Sequence, residues 1–268
     1  MRREEHIAKH SIEILRSGQT MRYLCDQSNG EHDFDLFCGE GLIGIVECTM
    51  ATDQQVRQMR ARIADSRSGG EFVDARLCKK GWLVHFSQNA DPREIRKKVD
   101  AYLAPIEDAG IENFFSYTDA ANCSAISKIL TDLQIESGSV TEWKPPKRRI
   151  GLSIPSQGGK VTFDQLEDAV RAEASKPDNR RKLANALKIA ERHLFVYVDP
   201  NYFLPWKVLV DAQELFPEGF PEIKGLPNEI THLWIATTNR HSSHHMVWLN
   251  QKGEGWQGPI ELVIEEDE

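Results

Sequence analysis

The stretch HDFDLFCGEGLIGIVECTMATDQQ, residues 32–55, decides the fold of this chain because it encodes a β-hairpin that carries acidic residues. Its alternation of polar and apolar residues predicts strands at 33–38 and 42–49, joined by a short glycine turn. Successive side chains of a strand point to opposite faces, so Asp33 and Asp35 lie on one face and the apolar residues between them on the other. The apolar face predicts a packed core, and the acidic face is the candidate site of chemistry.

The same alternation predicts a pair of carboxylates across the hairpin. Glu47 and Thr49 share a face at the end of the second strand, and neighbouring strands lie only ~5 Å apart, so one metal ion is predicted to bridge Asp35 and Glu47. Mg²⁺ prefers oxygen ligands and is commonly held by one or two carboxylates together with substrate phosphates. Asp33 and, on the inner stripe of the first helix, Glu4 are further candidate ligands. The alternative is an ordinary hairpin whose exposed acids discourage edge pairing.

Helices and strands alternate along the rest of the chain. Amphipathic periodicity and capping residues predict helices at 3–17, after Thr52, from Pro92 toward Gly110, at about 119–133, after Thr162 and at 180–193. Apolar runs rich in β-branched and aromatic residues predict strands at 21–26, 33–38, 42–49, 82–86, 194–199, 232–237 and 245–250. This order predicts the α/β class, with a mixed central sheet flanked by helices.

The least regular part of the sequence is residues 136–161, which carry prolines, glycines and basic residues. This composition predicts an exposed connection between an α/β core at residues 1–135 and a C-terminal α/β part at residues 162–268. Two arrangements of the C-terminal part stay open. It either forms a second domain or completes the first core, and in the second case residues 68 to about 160 are an insertion.

The composition is that of a globular protein, with 268 residues of which 40% are hydrophobic and 28% charged. A net charge of -8 argues against bulk electrostatic coating of nucleic acid, although a local basic patch stays open. No apolar stretch approaches the ~20 residues of a membrane span, and no signal-peptide pattern is present, so we expect a cytoplasmic protein without a membrane partner. The five cysteines form no C-x-x-C pair, which predicts reduced thiols rather than a zinc site.

Asp35 and the run Glu47-Cys48-Thr49 resemble the motif of the PD-(D/E)xK nuclease superfamily, and the resemblance covers residues 3–66. That family has a helix, three strands, a helix and a strand, with an aspartate on one strand and E-x-K on the next. The resemblance implies a restriction-endonuclease-like core that binds Mg²⁺ or Mn²⁺. It also implies hydrolysis of phosphodiester bonds in nucleic acid, with DNA ahead of RNA as the partner.

The chain departs from this family at Thr49, which stands where the motif has a lysine. The family's lysine positions the attacking water and stabilises developing negative charge, and threonine carries no charge. Related proteins supply the missing amine or amide from a neighbouring helix. The candidates here are Gln54 or Gln55, just after the motif, and Lys182 in the C-terminal part.

Six basic residues are candidate nucleic-acid contacts, namely Lys144, Lys147, Arg148, Arg149, Arg180 and Arg181. The first four lie beside Trp143, so this segment offers cations for phosphates and an aromatic ring for a base. The alternatives are a solvated connection for these four and a polar helix face for the two arginines.

Histidines form a second candidate metal group. His241, His244 and His245 lie close together in sequence and could bind a transition metal, the alternative being solvated turn histidines. His193 precedes an apolar strand and is expected to be a hydrogen-bonded structural residue.

Two functional hypotheses follow from the sequence. The first is a Mg²⁺- or Mn²⁺-dependent nuclease-like hydrolase in a bacterial defence or repair setting. The second is a catalytically inactive nuclease-like module that binds nucleic acid or a protein. The oligomeric state stays open, with a homodimer among the options.

Overall fold

The acidic hairpin lies within a sheet of seven strands. The computed structural model describes residues 1–24, 31–64, 71–87, 89–141, 149–154, 160–238 and 244–264, without the side chains of residues 55, 60 and 64. In chain order the described elements are α1 (Arg3–Leu15), β1 (Gln19–Tyr23), β2 (Phe34–Cys38), β3 (Gly41–Ala51), α2 (Gln54–Ala64), β4 (Phe72–Asp74), β5 (Gly81–Phe86), α3 (Pro92–Asp108), β6 (Asn113–Phe115), α4 (Ser116–Asp119), α5 (Ser124–Leu133), β7 (Ile135–Thr141), β8 (Arg149–Ser153), α6 (Phe163–Ala174), α7 (Pro177–Asn185), β9 (Glu191–Val198), α8 (Phe203–Val210), α9 (Ala212–Leu215), β10 (His232–Thr238), β11 (His244–Gln251) and β12 (Gly255–Val263).

The chain divides into two compact units. The first unit comprises Met1–Thr52 and Gly159–Glu268, and the second unit comprises Asp53–Gly158. The second unit therefore interrupts the first between β3 and α6. The C-terminal residues belong to the same unit as the acidic hairpin, which is the arrangement with an insertion that the sequence left open.

The sheet of the first unit has the order β1-β2-β3-β9-β10-β11-β12. β1, β2 and β3 form an antiparallel meander, with Gly39 in the left-handed conformation (φ 60°) at the turn between β2 and β3. β3 is parallel to β9 and β9 to β10, whereas β10, β11 and β12 are antiparallel. The predicted α/β class with a mixed sheet flanked by helices is confirmed.

Alternation along β3 gives this sheet two different faces. Val46 and Cys48 point to one face, where they pack with Ile7, Ala8 and other apolar residues of α1. Ile45 and Ala51 point to the opposite face, where they pack with apolar residues of α6, α7 and α8. Glu47 lies on this second face because it is two residues beyond Ile45. The site therefore faces the helices that follow the insertion.

The second unit has its own five-stranded sheet, in the order β4-β8-β5-β7-β6. Trp82, Val84 and Phe86 of β5 are fully buried in a core that includes apolar residues of α2, α3 and α5. Residues 136–161, expected to be an exposed connection, contribute most of β7 and all of β8. Pairing with β5 explains this difference, because both strands obtain their hydrogen bonds from residues distant in sequence.

Further elements differ from the sequence expectation, among them β4, β6, α8 and α9, which were not predicted. The helix predicted at 180–193 ends at Asn185, because the residues from Glu191 onward pair with β3 as part of β9. The helix predicted at about 119–133 is α5, which begins later, at Ser124, and the short helix α4 ends at Asp119. β12 was not predicted, since its two glycines and a proline are typical of turns, but proline is tolerated in an edge strand. No helix among the described residues is long and apolar enough to cross a membrane.

Candidate functional site

The centre of the candidate site is an ion pair between two residues that are far apart in sequence. Lys182 lies on α7 and donates from Nζ to Oε1 of Glu47, on β3, over 2.9 Å. β9 brings them together, since it follows α7 directly and runs parallel to β3, with Leu194 opposite Glu47. The structure therefore places Lys182, a candidate substitute for the missing motif lysine, in contact with Glu47.

Glu47 is almost completely buried, with 2% of its surface exposed. Burial raises its pKa to about 8, and the nearby Asp33 charge adds to the effect, while Lys182 opposes it. The second carboxylate oxygen, Oε2, is buried and has no hydrogen-bond partner among the residues that the structure describes. A buried oxygen that accepts no hydrogen bond lowers the stability of the folded protein, because it has lost its contact with water. It is therefore a candidate ligand atom for a cation.

Asp33 is the second carboxylate of the site and is fully buried just before β2. Its backbone N–H donates to the carbonyl of Val46 over 3.1 Å, and its Oδ2 accepts from the backbone N–H of Cys48 over 2.7 Å. Asp33 therefore lies against both chain neighbours of Glu47. Burial raises the pKa of Asp33, with the Cys48 hydrogen bond acting in the opposite direction.

Asp35 does not pair with Glu47 as the sequence suggested. Its partner across the β2–β3 ladder is Ile45, and its Oδ1 lies 2.7 Å from Nε2 of His32. Alternation correctly places Asp33 and Asp35 on one side of the strand, but the register makes Asp33 the acid that adjoins Glu47. The role given to Asp35 therefore moves to Asp33.

Lys182 is held by two carboxylates. Besides Glu47, it contacts Oδ2 of Asp178, one turn earlier on α7, over 3.2 Å. Burial alone lowers the pKa of Lys182, but the hydrogen bond and charge of Glu47 outweigh it, so that the pKa is raised. Lys182 therefore carries a positive charge at neutral pH, and it is only 9% exposed.

The start of α1 adds further charges. Nη2 of Arg2 donates to Oδ1 of Asp33 over 3.0 Å, and its Nη1 lies 3.4 Å from Oε1 of Glu4. Glu4 is buried, as expected for a residue on the inner stripe, but Glu5 is buried more completely and accepts a 2.6 Å hydrogen bond from the Arg2 backbone. Sequence reasoning missed Arg2 and Glu5. The available signal was the i, i+3 spacing of a capping interaction at the helix start.

Thr49, at the motif's lysine position, faces a different carboxylate. Its hydroxyl donates to Oε2 of Glu173 on α6, and the same oxygen accepts from Nζ of Lys176 over 2.5 Å. Thr49 and Glu173 are both buried. The threonine therefore has a local partner and makes no hydrogen bond to Glu47. The side chain of Gln55 lies outside the described residues, and α2, which also carries Gln54, belongs to the second unit.

The six basic candidates do not form one described patch. Lys144, Lys147 and Arg148 lie outside the described residues. Arg149 belongs to the second unit, with its guanidinium 5.5 Å from the ring centre of Phe72. Arg180 and Arg181 are exposed and each forms a surface ion pair, with Glu229 and Asp178 respectively.

A second buried polar cluster lies on the opposite face of the same sheet. Glu191, His193 and His232 each place one ligand atom within 4.8 Å of the others, a spacing that would admit a metal ion. The rings of His193 and His232 stack at 4.1 Å, and Arg16 reaches Glu191 over 2.7 and 3.0 Å. Sequence reasoning missed this group because its members lie on two strands. The strand register of β9 and β10 brings the two histidines together.

The hydrogen bonds of this histidine cluster argue against a metal ion. Indole nitrogen is a donor only, so the 2.9 Å contact from Trp234 requires Nδ1 of His193 to accept. In the neutral ring the proton is then on Nε2, 3.0 Å from Glu191, and no lone pair of His193 is left for a metal. Glu191 is already paired with Arg16, so two of the three candidate ligands are engaged in hydrogen bonds, whereas Nε2 of His232 has no partner in the described part of the chain. His193 is a hydrogen-bonded residue, as the sequence predicted.

The other histidine group is only partly described. His241 lies outside the described residues, while His244 and His245 are consecutive on β11 and therefore point to opposite faces. His244 is exposed and His245 is fully buried. The described pair therefore cannot chelate one ion in the way the sequence suggested.

No protein-family model, curated protein or solved structure matches this chain. The chemistry of the site is therefore the guide to function.

Proposed function

We propose that this protein is a metal-dependent hydrolase of phosphodiester bonds in nucleic acid, with DNA ahead of RNA as substrate. Asp33 and Glu47 would hold the ion, and Lys182 would supply the amine that the motif lacks at Thr49. The observation that carries the proposal is the state of Glu47. One of its oxygens binds the Lys182 ammonium, and the other is buried without a partner in the described part of the chain.

The donor set fits a hard divalent cation. Carboxylate oxygens are the preferred ligands of Mg²⁺ and Mn²⁺, and the site offers two carboxylates whose charge is compensated by Lys182 and Arg2. The buried Oε2 of Glu47 would gain a partner. When bound, the ion would polarise a phosphoryl oxygen and lower the pKa of an attacking water.

The protein groups around the ion have separate roles. The Cys48 N–H fixes the Asp33 carboxylate, so that its orientation does not depend on the ion. Lys182 holds a positive charge beside Glu47, where it can stabilise the negative charge that develops on the phosphoryl group. Asp178 keeps the lysine in place from its other side. Lys182 contacts Glu47 and can replace the motif lysine directly, whereas Thr49 is bonded to Glu173.

Proton release accompanies this binding. Burial and the Asp33 charge raise the pKa of Glu47 to about 8, against the effect of the Lys182 ammonium, so Glu47 takes up a proton at a higher pH than an exposed glutamate does. A cation must displace that proton from Glu47 because only the carboxylate is a good ligand. We therefore expect metal affinity to increase with pH up to about 8.

One observation favours a second candidate, an inactive nuclease-like binding module. Asp33 is fully buried and one of its oxygens is already bound by the Arg2 guanidinium, which is a permanent cation. In this alternative Arg2 and Lys182 neutralise the acids and no ion enters. The two functions make opposite predictions for metal binding.

The test combines Mn²⁺ titration calorimetry with cleavage of supercoiled plasmid, single-stranded DNA and RNA. Glu47→Gln and Lys182→Ala should each remove cleavage, and Glu47→Gln should also remove the binding heat. Asp35→Asn is the matched control, because it changes a carboxylate of the same hairpin that bonds to His32. Full activity of Glu47→Gln would overturn the proposal. Nucleic-acid binding without metal binding or cleavage in the wild type would establish the inactive module instead.

A further inference from the structure

A cavity of about 320 Å³ opens in the first unit between β10, β11 and β12 and the loop that precedes β10. Its volume lies at the lower end of small-molecule sites, which hold compact ring systems. The indole of Trp256 forms part of one wall, and the amides of Asn228 and Asn250 lie among its lining groups. Lys224 and Lys252 line it as well and are exposed to solvent.

These groups match the chemistry of a nucleobase. An aromatic ring provides a surface on which any base can stack, and an amide side chain offers a donor and an acceptor to a base edge. Exposed lysines are suited to the phosphate attached to a base. Phe220 contacts the Trp256 ring edge-on, with ring centres 5.1 Å apart, and thereby restricts its orientation.

The loop that borders the cavity is long and held in place. Residues 216–231 contain no helix or strand, and loops of this length within a domain are usually functional. Three prolines reduce its conformational freedom, and the backbone N–H of Lys224 donates to Glu167 of α6 over 2.8 Å. The cavity wall is therefore preorganised.

The strand register relates this cavity to the acidic site. Glu47 is opposite Leu194, Leu194 is opposite Leu233, Leu233 is opposite Asn250, and Asn250 is opposite Trp256. Partners in register point to the same face, so Asn250 and Trp256 share the sheet face of Glu47. Asn250 is three strand spacings from Glu47, or roughly 14 Å. Leu194 and Leu233, which lie between them in this register, are buried in the core, so the cavity and Glu47 are separate sites on one sheet face.

We propose that this cavity binds one unpaired nucleobase of the nucleic acid, with the base stacked on Trp256 and its edge hydrogen-bonded by Asn250. The choice of ligand rests on the proposed function, but binding requires neither the metal nor cleavage. The cavity would favour nucleic acids that contain an unpaired base.

The test is calorimetric titration of the full chain, in the presence of a chelator, with each nucleoside 5′-monophosphate and with ribose 5-phosphate. We expect the monophosphates to bind and ribose 5-phosphate not to bind. Trp256→Ala should weaken binding by about tenfold or more, because base stacking is lost. Trp256→Phe, which keeps an aromatic ring and protects the fold, should retain most of the affinity. Asn250→Ala should weaken binding, whereas Asn113→Ala, at an exposed position in the second unit, should not.

Equal binding of ribose 5-phosphate and the monophosphates would show a phosphate site only and would overturn the proposal. So would unchanged affinity of Trp256→Ala and Asn250→Ala, or the absence of binding to the wild type at millimolar ligand. Glu47→Gln separates the two hypotheses, because it should abolish cleavage and leave monophosphate binding intact. If the protein cleaves nucleic acid but binds no monophosphate, only the proposal of a nucleobase site is refuted. If it binds monophosphates but cleaves nothing, only the proposed hydrolase function is refuted.

Discussion

Two buried polar clusters lie on opposite faces of one sheet and contain similar residue types, but their hydrogen bonding differs. The Glu47 cluster faces α7, and the Glu191–His193–His232 cluster faces α1. In the first, a carboxylate oxygen has no partner within the described part of the chain. In the second, Trp234 and Glu191 use both nitrogens of His193, and Arg16 uses both oxygens of Glu191. Nε2 of His232 is buried and, among the described residues, has no hydrogen-bond partner, so one of the three ligand atoms is unused.

Distance between ligand atoms does not by itself identify a metal site, because a ligand atom that is engaged in a hydrogen bond must first be released. The histidine cluster has the better spacing, with all three ligand atoms within 4.8 Å. It nevertheless requires a metal to displace an arginine and to reverse a histidine tautomer fixed by an indole. The Glu47 cluster requires a cation to displace one proton from Glu47 and to share the site with Lys182 and with Arg2, which is bonded to Asp33.

The largest expected effect is a loss of cleavage activity when the Glu47 cluster, but not the histidine cluster, is substituted. Glu47→Gln should reduce cleavage on the order of 10³-fold, because it removes a ligand and its charge from the reaction centre. His193→Gln changes an equally buried residue of the other cluster and should leave cleavage per folded molecule within about twofold. The measurement is the cleavage rate with Mn²⁺, normalised to the folded fraction. Similar losses in both variants would contradict the distinction between the clusters.

The next effect concerns acid stability. Burial, together with neighbouring His193, lowers the pKa of His232 to about 4, so the unfolded chain binds an additional proton between about pH 6.5 and pH 4. The His232 contribution to stability is therefore lost as pH falls through this range, by about 3 kcal/mol. His232→Gln should show a smaller loss of unfolding free energy than the wild type on acidification.

The wild type must serve as the reference in this measurement. Glu47, whose pKa is raised, acts in the opposite direction, because its contribution to stability is lost as pH rises from about 4.5 to about 8. The free energy of unfolding of both proteins is measured by denaturant titration at several pH values. Because both proteins contain Glu47, its contribution cancels when one value is subtracted from the other. Parallel pH profiles would show that His232 does not titrate as its burial requires.

A smaller effect is expected at the lysine position of the motif. Thr49→Val should lower the free energy of unfolding by about 1.5 kcal/mol, because a buried hydrogen bond to the Glu173 carboxylate is lost. Cleavage should change little, since Thr49 is not bonded to Glu47. Thr20→Val, at an exposed position on edge strand β1, is the control and should change stability by less than about 0.5 kcal/mol. A large loss of cleavage without a loss of stability would show that Thr49 takes part directly in catalysis.

The smallest expected effect is no change at all. Zn²⁺ titration of the wild type and of His232→Gln should give the same affinity, because His193 and Glu191 are already hydrogen-bonded. Binding at other histidines contributes equally to both proteins. A tighter Zn²⁺ site that disappears in His232→Gln would reverse the comparison and make the histidine cluster the metal centre.

Particular residues show where sequence reasoning reached its limit. It gave Lys182 as a candidate for the motif's lysine position, together with Gln54 and Gln55, but could not select it or predict the 2.9 Å ion pair with Glu47. It placed Asp33 and Asp35 on one face and selected Asp35, because alternation specifies a face and not the register. It did not identify Arg2, whose contact with Asp33 joins the start of α1 to the hairpin. The histidine cluster likewise depends on the β9–β10 register.

The sequence by itself determined the α/β class, the acidic hairpin, the apolar faces of α1, α3 and α6, and the residue types available for chemistry. These features are local, since they follow from periods of two or about 3.6 residues and from capping. Only the tertiary structure decided that an insertion separates β3 from α6 and that Lys182 faces Glu47. It also decided that Asp33 adjoins Glu47. Those outcomes depend on β3–β9 pairing and on strand register, which join residues far apart in the chain through backbone hydrogen bonds and burial.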